Sequence, residues 1–196
     1  MIEIEQNNIK EIAEYLKQGK LVAIPTETVY GIAVAFGNVS SIQRLKDAKE
    51  REDKPFSLML KSINRINDFA YINPLAKKII DNFLPGELTI VLDKKDSISD
   101  DITAGFSTVG IRVPNDSFLK NLISLTGPLV VTSANKKGEN SCLSSDEVKE
   151  KLDFLDIVVK GICLNTIPTT VAAVNEEEIK VLREGRITLE DLNKIK

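Results

Sequence analysis

The sequence predicts an α/β domain built on one twisted, mixed sheet with flanking helices. Short apolar runs alternate with longer segments whose apolar residues recur at helical spacing, which is typical of α/β domains. Near the end of the chain, the runs TTVAAV and IKVLR are separated by a polar turn, which indicates an antiparallel pair. With 196 residues, of which 42% are hydrophobic and 28% are charged, the chain has the balance of one globular domain. We therefore predict a single domain over residues 1–196.

Each element is placed by its hydrophobic period and by the residues that bound it. Helices are predicted where apolar residues recur every three or four positions after a capping residue. The predicted helices cover residues 9–16, 40–48, 63–69, 74–83, 116–125, 145–152 and 189–195. Strands are predicted where a short apolar run stops at proline, glycine or a polar turn. The predicted strands cover residues 21–25, 56–60, 88–92, 109–114, 128–132, 156–159, 169–174 and 179–183.

The composition excludes several kinds of catalysis. The chain contains 0 histidines, which rules out Ser-His-Asp and Cys-His catalysis and zinc sites with histidine ligands. Its 2 cysteines, Cys142 and Cys163, lack Cys-x-x-Cys spacing. We expect two buried free thiols in a reducing, cytoplasmic environment. The charged N-terminus and the lack of a long apolar run predict no signal peptide and no membrane span.

Basic residues are concentrated in one part of an acidic chain. The net charge is −3, from 26 basic and 29 acidic residues. Residues 44–65 contain seven basic and four acidic side chains, so this window carries +3 and the remainder −6. A solvated helix face explains such a run in most proteins, and an anion-binding surface is the other explanation. We expect its basic side chains to be exposed.

Polar residues placed where strands end are the candidates for a binding site. PTETVYG at 25–31 and TSAN at 132–135 each follow an apolar strand, although helix caps and ordinary turns would also use such residues. Arg112 and Arg183 lie in or at the end of strands, where an arginine needs an anionic partner or solvent. For Arg112 the alternative is a structural ion pair with an acidic residue. The chain has neither a P-loop nor a GxGxxG motif, so side chains would have to hold a nucleotide.

Several blocks in this order resemble the YrdC-type threonylcarbamoyl-adenylate synthases. The blocks are PTETVYG, Lys49-x-Arg51 followed by Lys54-Pro55, LPGELTIVL, STVGIRVP, TSANKKG, PTTV and VLREG. The resemblance implies a sheet with a concave basic face and a nucleotidyltransferase that converts L-threonine, bicarbonate and ATP to threonylcarbamoyl-AMP and pyrophosphate. A separate transfer complex would then modify adenosine in tRNA. The resemblance is to the single-domain form, without the additional C-terminal domain of longer members.

The resemblance also assigns roles to individual residues. Lys49 and Arg51 match catalytic positions. The positions that match threonine-binding residues are Thr28, Arg112, Ser133 and Thr169. The positions that match ATP-binding residues are Arg51, Lys54, Thr108, Asn135 and Arg183. No acidic cluster has metal-ligand spacing, so we expect no resident metal and Mg²⁺ that arrives with ATP.

Departures from the family pattern leave alternatives open. The segment from Arg51 to Pro55 is one residue shorter than is common, Met59 stands where histidine is frequent, and Thr169 stands where serine is usual. The segments FSLML and PTTV also resemble a paralogous group whose activity is less clear, whereas the presence of both Lys49-x-Arg51 and Ser133-x-Asn135 favours the synthase. The alternatives are such a paralogue without synthase activity, a carbamoyl transferase with another acceptor, or an RNA-binding module in ribosome or tRNA maturation. The low aromatic content of 5% argues against single-strand RNA binding.

Overall fold

The computed structural model describes residues 1–50 and 54–195 as one twisted ten-stranded sheet with helices on both faces. The strands are β1 (Ile2–Ile4), β2 (Val22–Ile24), β3 (Gly31–Ala35), β4 (Ser57–Met59), β5 (Leu88–Asp93), β6 (Thr108–Arg112), β7 (Leu129–Ser133), β8 (Ile157–Val159), β9 (Thr170–Val174) and β10 (Ile179–Arg183). The helices are α1 (Ile9–Lys17), α2 (Val39–Ala48), α3 (Pro74–Phe83), α4 (Asp100–Thr103), α5 (Ser117–Thr126), α6 (Ser145–Lys151) and α7 (Leu189–Asn193), with a 3-10 helix at Ile63–Asp68.

The sheet is mixed, as predicted. Its strand order is β1-β8-β2-β3-β7-β4-β6-β5-β9-β10. Strand β8 pairs in parallel with β1 and β2, and the pairs β4–β6 and β5–β9 are also parallel. The remaining neighbours are antiparallel, including the β9–β10 hairpin that the sequence predicts.

Alternation along the strands divides the core between the two faces of the sheet. On one face, Leu58, Ile90 and Ile111 belong to the larger cluster of buried side chains, which includes residues of α2, α3, α6 and α7. On the other face, α1 and α5 pack over β8, β2, β3 and β7. Strands β4, β6, β5 and β9 extend beyond these two helices, so part of that face is left for a cavity.

Most elements lie where the sequence predicts them, and the differences are at short or atypical segments. The sequence did not predict β1, β3 or α4. Strand β3 has the sequence GIAVA, and glycine and alanine are depleted in strands, so its apolar run was a weak signal. Helix α2 begins at Val39 rather than at a serine, because Asn38 Oδ1 accepts the bond from the amide of Ser41 at 3.1 Å.

Within the described residues, no helix is both long enough and apolar enough to cross a membrane.

Candidate active site

A cavity of about 500 Å³ lies over the part of the sheet that α1 and α5 leave open. Every second residue of the central strands points into it, while the residues between them fill the core on the other face. The side chains and glycine of β4, β5 and β6 that line the cavity are Ser57, Met59, Thr89, Val91, Thr108, Gly110 and Arg112. The turn 26–31, the segment 131–133 and residues near Thr169 form its walls.

Residues with small side chains form the centre of the cavity floor. Gly110 pairs in register with Ser57 on one side and with Val91 on the other. A Cβ atom at Gly110 would lie 3.2 Å from both Ser57 Oγ and Thr89 Cγ2. Glycine is therefore the residue that fits between these two side chains without displacing them.

Arg112 lies beside this floor and is 8% exposed. Its Nη2 atom is 3.0 Å from Glu27 Oε2 and donates to Thr28 Oγ1 at 3.2 Å. Among the described residues, nothing accepts a hydrogen bond from its buried Nε atom. The structural ion pair considered from the sequence is thus present, and Arg112 also lines the cavity.

The hydroxyl of Thr28 has a defined direction. Thr26 Oγ1 donates its only proton to the carbonyl of Val29 at 2.7 Å. The contact of 3.0 Å between the two threonine hydroxyls therefore has Thr28 as its donor. Since Thr28 Oγ1 also accepts from Arg112, it orients the guanidinium and keeps one lone pair for a ligand N–H group.

Lys49 joins the end of α2 to the loop after β7. Its Nζ atom donates to Ser133 O at 3.1 Å, to Asn135 Oδ1 at 3.0 Å and to Asn135 O. Lys49 is 4% exposed, so the expectation that it lies on an exposed basic surface is wrong. The reason is that α2 ends next to a loop whose carbonyl groups need donors. Asn135 Oδ1 also accepts from Ser133 Oγ at 2.7 Å.

Thr169 and Arg183 form the opposite wall. Arg183 donates to the carbonyl of Thr169 through Nε at 3.1 Å and Nη2 at 2.9 Å, and Nη2 is 3.2 Å from Thr169 Oγ1. That hydroxyl lies 3.2 Å from Thr89 Oγ1 on the cavity floor. Gly185 brings the two segments together, since a Cβ atom there would lie 2.3 Å from the carbonyl oxygen of Pro168.

The predicted site residues divide between two neighbouring cavities. The cavity over the sheet is lined by Thr28, Arg112, Ser133, Thr169, Thr108 and Arg183. A second cavity of about 980 Å³ is lined by Lys49, Lys54 and Asn135, with other charged side chains around them. The Ser133–Asn135 hydrogen bond links the two cavities. The predicted residue Arg51 lies outside the described residues.

Sequence reasoning did not single out Glu27, Glu87 or Asn165. Asn165 Nδ2 donates to the carbonyl of Glu27 at 2.7 Å and to Glu87 Oε1 at 3.1 Å, which fastens the segment before Thr169 to the turn that holds Arg112. The charge of Arg112 was the signal that pointed to a nearby carboxylate. Nothing in the sequence identified Glu27 as that carboxylate, because its partner lies 85 positions away, from 27 to 112.

Two thiols and one phenol are buried in the core, and the phenol belongs to Tyr30, a residue that also lines the cavity over the sheet. Cys142 and Cys163 are free and buried, as predicted, and burial raises the pKa of both thiols above the ordinary value of 9.0. Tyr30 donates to the carbonyl of Val159 at 2.9 Å, and burial raises the pKa of its phenol well above 10.0. Because their pKa values are raised, all three groups are neutral, and they form part of the buried core.

The described residues contain no group of three or more carboxylate or thiol side chains placed to hold a metal ion. The two cavities instead offer arginine, lysine and hydroxyl groups, which bind the oxygen atoms of carboxylates and phosphates. An arrangement of this kind can position anionic substrates and stabilise developing negative charge. Among the residues that line the cavities, no nucleophile is activated by a histidine base, since the chain has 0 histidines.

Comparison with known proteins identifies relatives of this chain. The family model Sua5_yciO_yrdC, described as "Telomere recombination", matches residues 14–185. A protein of Methanocaldococcus jannaschii is 38% identical over 97% of this chain and 93% of its own length. The Bacillus subtilis protein named threonylcarbamoyl-AMP synthase is 33% identical over 95% of this chain, and the match spans 56% of the relative.

Solved structures share the fold. Sua5 of Pyrococcus abyssi, in a crystal structure complexed with L-threonine, superposes with a TM-score of 0.90 at 31% identity, covering 99% of this chain and 59% of that one. Escherichia coli YciO superposes with a TM-score of 0.88 at 22% identity over 97% of both chains, which establishes the shared fold alone. The family match, the full-length relative and the arrangement of the site agree, and the chain belongs to the Sua5/YciO/YrdC family.

Proposed function

We propose that this protein is a threonylcarbamoyl-AMP synthase, a nucleotidyltransferase that joins L-threonine, bicarbonate and ATP and releases pyrophosphate. The observation that carries the proposal is Arg112, a buried cation in the wall of the cavity that Thr28, Ser133 and Thr169 also line. Relatives named threonylcarbamoyl-AMP synthase, and the P. abyssi Sua5 structure complexed with L-threonine, support it.

In this proposal the amino acid binds over the sheet. Its carboxylate accepts from Arg112, because the fork of a guanidinium that lines a cavity suits the two oxygens of a carboxylate. The hydroxyls of Ser133 and Thr169 lie on opposite walls of the same cavity and offer partners to the amino-acid hydroxyl and amine. Thr28 Oγ1 can accept from an N–H group, since its own proton is already donated to Thr26.

ATP, as its magnesium complex, would extend from this cavity into the second one. Thr108 and Arg183 line the first cavity, whereas Lys54 and Asn135 line the second. The second cavity is lined by four lysines and three carboxylates, so its described charges sum to +1. The lysines are Lys46, Lys49, Lys54 and Lys137, and the carboxylates are Asp47, Glu50 and Glu139. A net positive charge there would offset negative charge that accumulates on the leaving pyrophosphate. Arg51, assigned a catalytic and ATP-binding role by resemblance, stays part of the proposal.

The chemistry requires two bonds to form. Bicarbonate loses its hydroxyl group to give carbon dioxide, and the neutral amine of threonine attacks the carbon of carbon dioxide to form the N–C bond of a carbamate. The proton that the amine loses and the hydroxide from bicarbonate leave together as water. A carbamate oxygen then attacks the α-phosphorus of ATP, and the bond between the α-phosphorus and the oxygen bridging to the β-phosphate breaks as pyrophosphate leaves. The side chains that line the two cavities contribute position and charge, which suffice for an in-line displacement at phosphorus.

The product would be passed to a separate threonylcarbamoyl-transfer complex that modifies tRNA, in the cytoplasm. Direct RNA binding stays a prediction of the sequence, as does the concave basic face. We retain Lys49 as a catalytic residue in this proposal. Its described hydrogen bonds to Ser133 and Asn135 also support the loop after β7.

The test is pyrophosphate release by the purified protein in the presence of MgATP, with L-threonine and bicarbonate each supplied or omitted. We expect release that depends on all three substrates and a product whose mass is that of threonylcarbamoyl-AMP. Pyrophosphate release that is indifferent to threonine would contradict the proposal. RNA binding without any threonine-dependent turnover would favour the RNA-binding module.

A further inference from the structure

We infer that Thr89 is a further binding residue whose hydroxyl proton contacts the amino acid, and that Thr89 and Thr169 together select an amino acid with a hydroxyl group on its side chain. The inference rests on the proposed function, in which Arg112 binds the carboxylate of the amino acid. Neither the polar motifs of the sequence nor the family resemblance assigns a role to Thr89.

Thr89 lies on the cavity floor between Arg112 and Thr169. Strand β5, which carries Thr89, has β6 on one side and β9 on the other. Thr89 pairs in register with Arg112 of β6, so the two side chains are neighbours on the same face of the sheet. Both residues line the cavity, and Thr89 is 3% exposed. A ligand whose carboxylate lies on Arg112 therefore has Thr89 beside it.

The side chain of Thr89 has a defined orientation. Its methyl group faces β6, since a Cβ atom at Gly110 would lie 3.2 Å from Thr89 Cγ2. Its hydroxyl faces the far wall, where Thr89 Oγ1 lies 3.2 Å from Thr169 Oγ1. Within the described part of the chain, this is the hydrogen bond that the Thr89 hydroxyl makes. A hydroxyl has one proton and two lone pairs, so Thr89 has hydrogen-bonding capacity left for a ligand.

Arg183 sets the direction of the hydrogen bond between the two hydroxyls. Its Nη2 atom donates to Thr169 Oγ1 at 3.2 Å, and a guanidinium can only donate. An oxygen that accepts from a cation becomes a poorer acceptor for a second bond, while its own proton becomes a better donor. Thr169 therefore donates to Thr89, and the chain of donors runs from Arg183 through Thr169 to Thr89. The proton of Thr89 remains available at the end of this chain, on the cavity floor.

The two hydroxyls thus offer the cavity a donor and an acceptor side by side. The donor is the proton of Thr89, and the acceptor is the remaining lone pair of Thr169. An alcohol uses both, because its oxygen accepts from Thr89 and its proton is donated to Thr169. A methyl group in the same place uses neither, and it leaves the Thr89 proton buried without an acceptor, which is costly.

Threonine bound through Arg112 can place its hydroxyl at this pair. The carboxylate and the hydroxyl of threonine are attached to neighbouring carbon atoms, and Arg112 and Thr89 are neighbours on the floor. The floor therefore favours threonine over valine, which has the same shape but carries a methyl group in place of the hydroxyl.

The test compares the binding of L-threonine and L-valine. Their dissociation constants are measured by calorimetry on the full chain, for the wild type and for Thr89→Val. We expect the wild type to bind threonine at least about a hundredfold more tightly than valine, because valine leaves buried polar groups unpaired. Thr89→Val removes one of the two hydrogen bonds to the ligand hydroxyl and should reduce this ratio about tenfold.

Three further variants give the controls. Thr89→Ser keeps the hydroxyl, so its ratio should stay close to that of the wild type even if both affinities fall. Thr89→Ala deletes the hydroxyl without adding a methyl group, and it should lower the ratio as Thr89→Val does. Thr103→Val is the matched control, because Thr103 is a fully buried threonine that accepts from Lys94 Nζ at 3.2 Å and does not line the cavity. We expect the wild-type ratio in Thr103→Val.

The outcomes separate the inference from the proposed function. A residue that only supports the wall would weaken both ligands alike in Thr89→Val and Thr89→Ala, and this unchanged ratio would overturn the inference alone. Equal affinity of the wild type for threonine and valine would also overturn it, whichever variants fold. A wild type that binds neither amino acid, and releases no pyrophosphate with threonine, bicarbonate and MgATP, would overturn the proposed function and the inference with it.

Discussion

Lys49 Nζ and Asn135 Oδ1 lie 3.0 Å apart, and their hydrogen bond fastens the C-terminal end of α2 to the loop that follows β7. The same amide oxygen accepts from Ser133 Oγ. Lysine side chains usually lie on a solvated face. Lys49 instead holds Asn135, and through it Ser133, whose hydroxyl is predicted to bind threonine. Support of the loop and binding of phosphate are separable, because the first affects stability and the second does not.

We expect Lys49→Ala to destabilise the protein. Removing a buried donor leaves the carbonyl groups of Ser133 and Asn135 with fewer partners, at a cost of about 2 kcal/mol. For a chain of this size, that lowers the melting temperature by about 4–8 °C. The measurement is thermal unfolding monitored by circular dichroism. Lys137→Ala is the matched control, because Lys137 lines the same cavity but is exposed, and it should melt within about 2 °C of the wild type.

Arg112→Lys should raise the KM for threonine about tenfold or more, while the KM for ATP changes little. Lysine can keep a charge opposite Glu27, but it has no guanidinium fork to donate to Thr28 and to a carboxylate at the same time. The measurement is pyrophosphate release with threonine and ATP varied in turn. An ATP KM that rises as much as the threonine KM would place the nucleotide, rather than the amino acid, at Arg112.

Arg112→Ala should also lose stability, by about 3–5 kcal/mol, because Glu27 would remain partly buried without its partner. Chemical denaturation measures the change. Arg44→Ala is the control, since the Arg44–Asp156 pair at 3.2 Å is much more exposed and should cost less than about 1 kcal/mol. Equal losses in the two variants would show that the Arg112 pair behaves as a surface pair.

Gly185→Ala should disturb the far wall of the site. Its Cβ atom would lie 2.5 Å from the amide nitrogen of Thr170 and 2.3 Å from the carbonyl oxygen of Pro168, so the backbone must move. We expect weaker binding of both threonine and ATP, because Thr169 and Arg183 are bonded across this contact. Calorimetry measures the two affinities. Glu184→Ala, an exposed change one residue earlier, should leave both affinities unchanged.

The buried thiols make stability fall at alkaline pH. Burial raises the pKa of Cys142 and Cys163, so the folded protein keeps protons that the unfolded chain releases near the ordinary value of 9.0. The unfolded state therefore binds fewer protons above that pH, and the free energy of unfolding decreases as pH rises. Denaturant titrations between pH 7 and pH 10 measure the slope (roughly the window set by ordinary thiol pKa values). A Cys142→Ala, Cys163→Ala double variant should show a smaller slope, and an unchanged slope would assign the effect to other groups.

The sequence predicts the mixed sheet because its strands are short apolar runs with clear stops. It does not predict β3, because the five residues of this strand include one glycine and two alanines, which are depleted in strands. The missing strand is important, because Gly31 at its start pairs in register with Ser133. That pair brings the motif PTETVYG next to TSAN.

The sequence also shows which residues belong to the site more reliably than it shows which other residues they contact. The two polar motifs and the two arginines do line neighbouring cavities. The burial of Lys49 and the pairing of Arg112 with Glu27 depend on contacts between residues far apart in the chain, such as 49 with 135 and 27 with 112. Local pattern carries no information on such contacts, so the expectation that Lys49 itself is exposed was wrong.

The floor of the cavity consists of backbone at the centre of the sheet, and this has a consequence for motion. Strands β4 and β6 are each hydrogen-bonded on both sides, and the residues that alternate with the floor, Leu58 and Ile111, are fully buried in the core. Amide protons in such strands exchange with solvent only when large parts of a protein open. The amides beneath the cavity should therefore exchange as slowly as any in the molecule. Substrate entry would then depend on the loops at the rim, while the floor stays as rigid as the core.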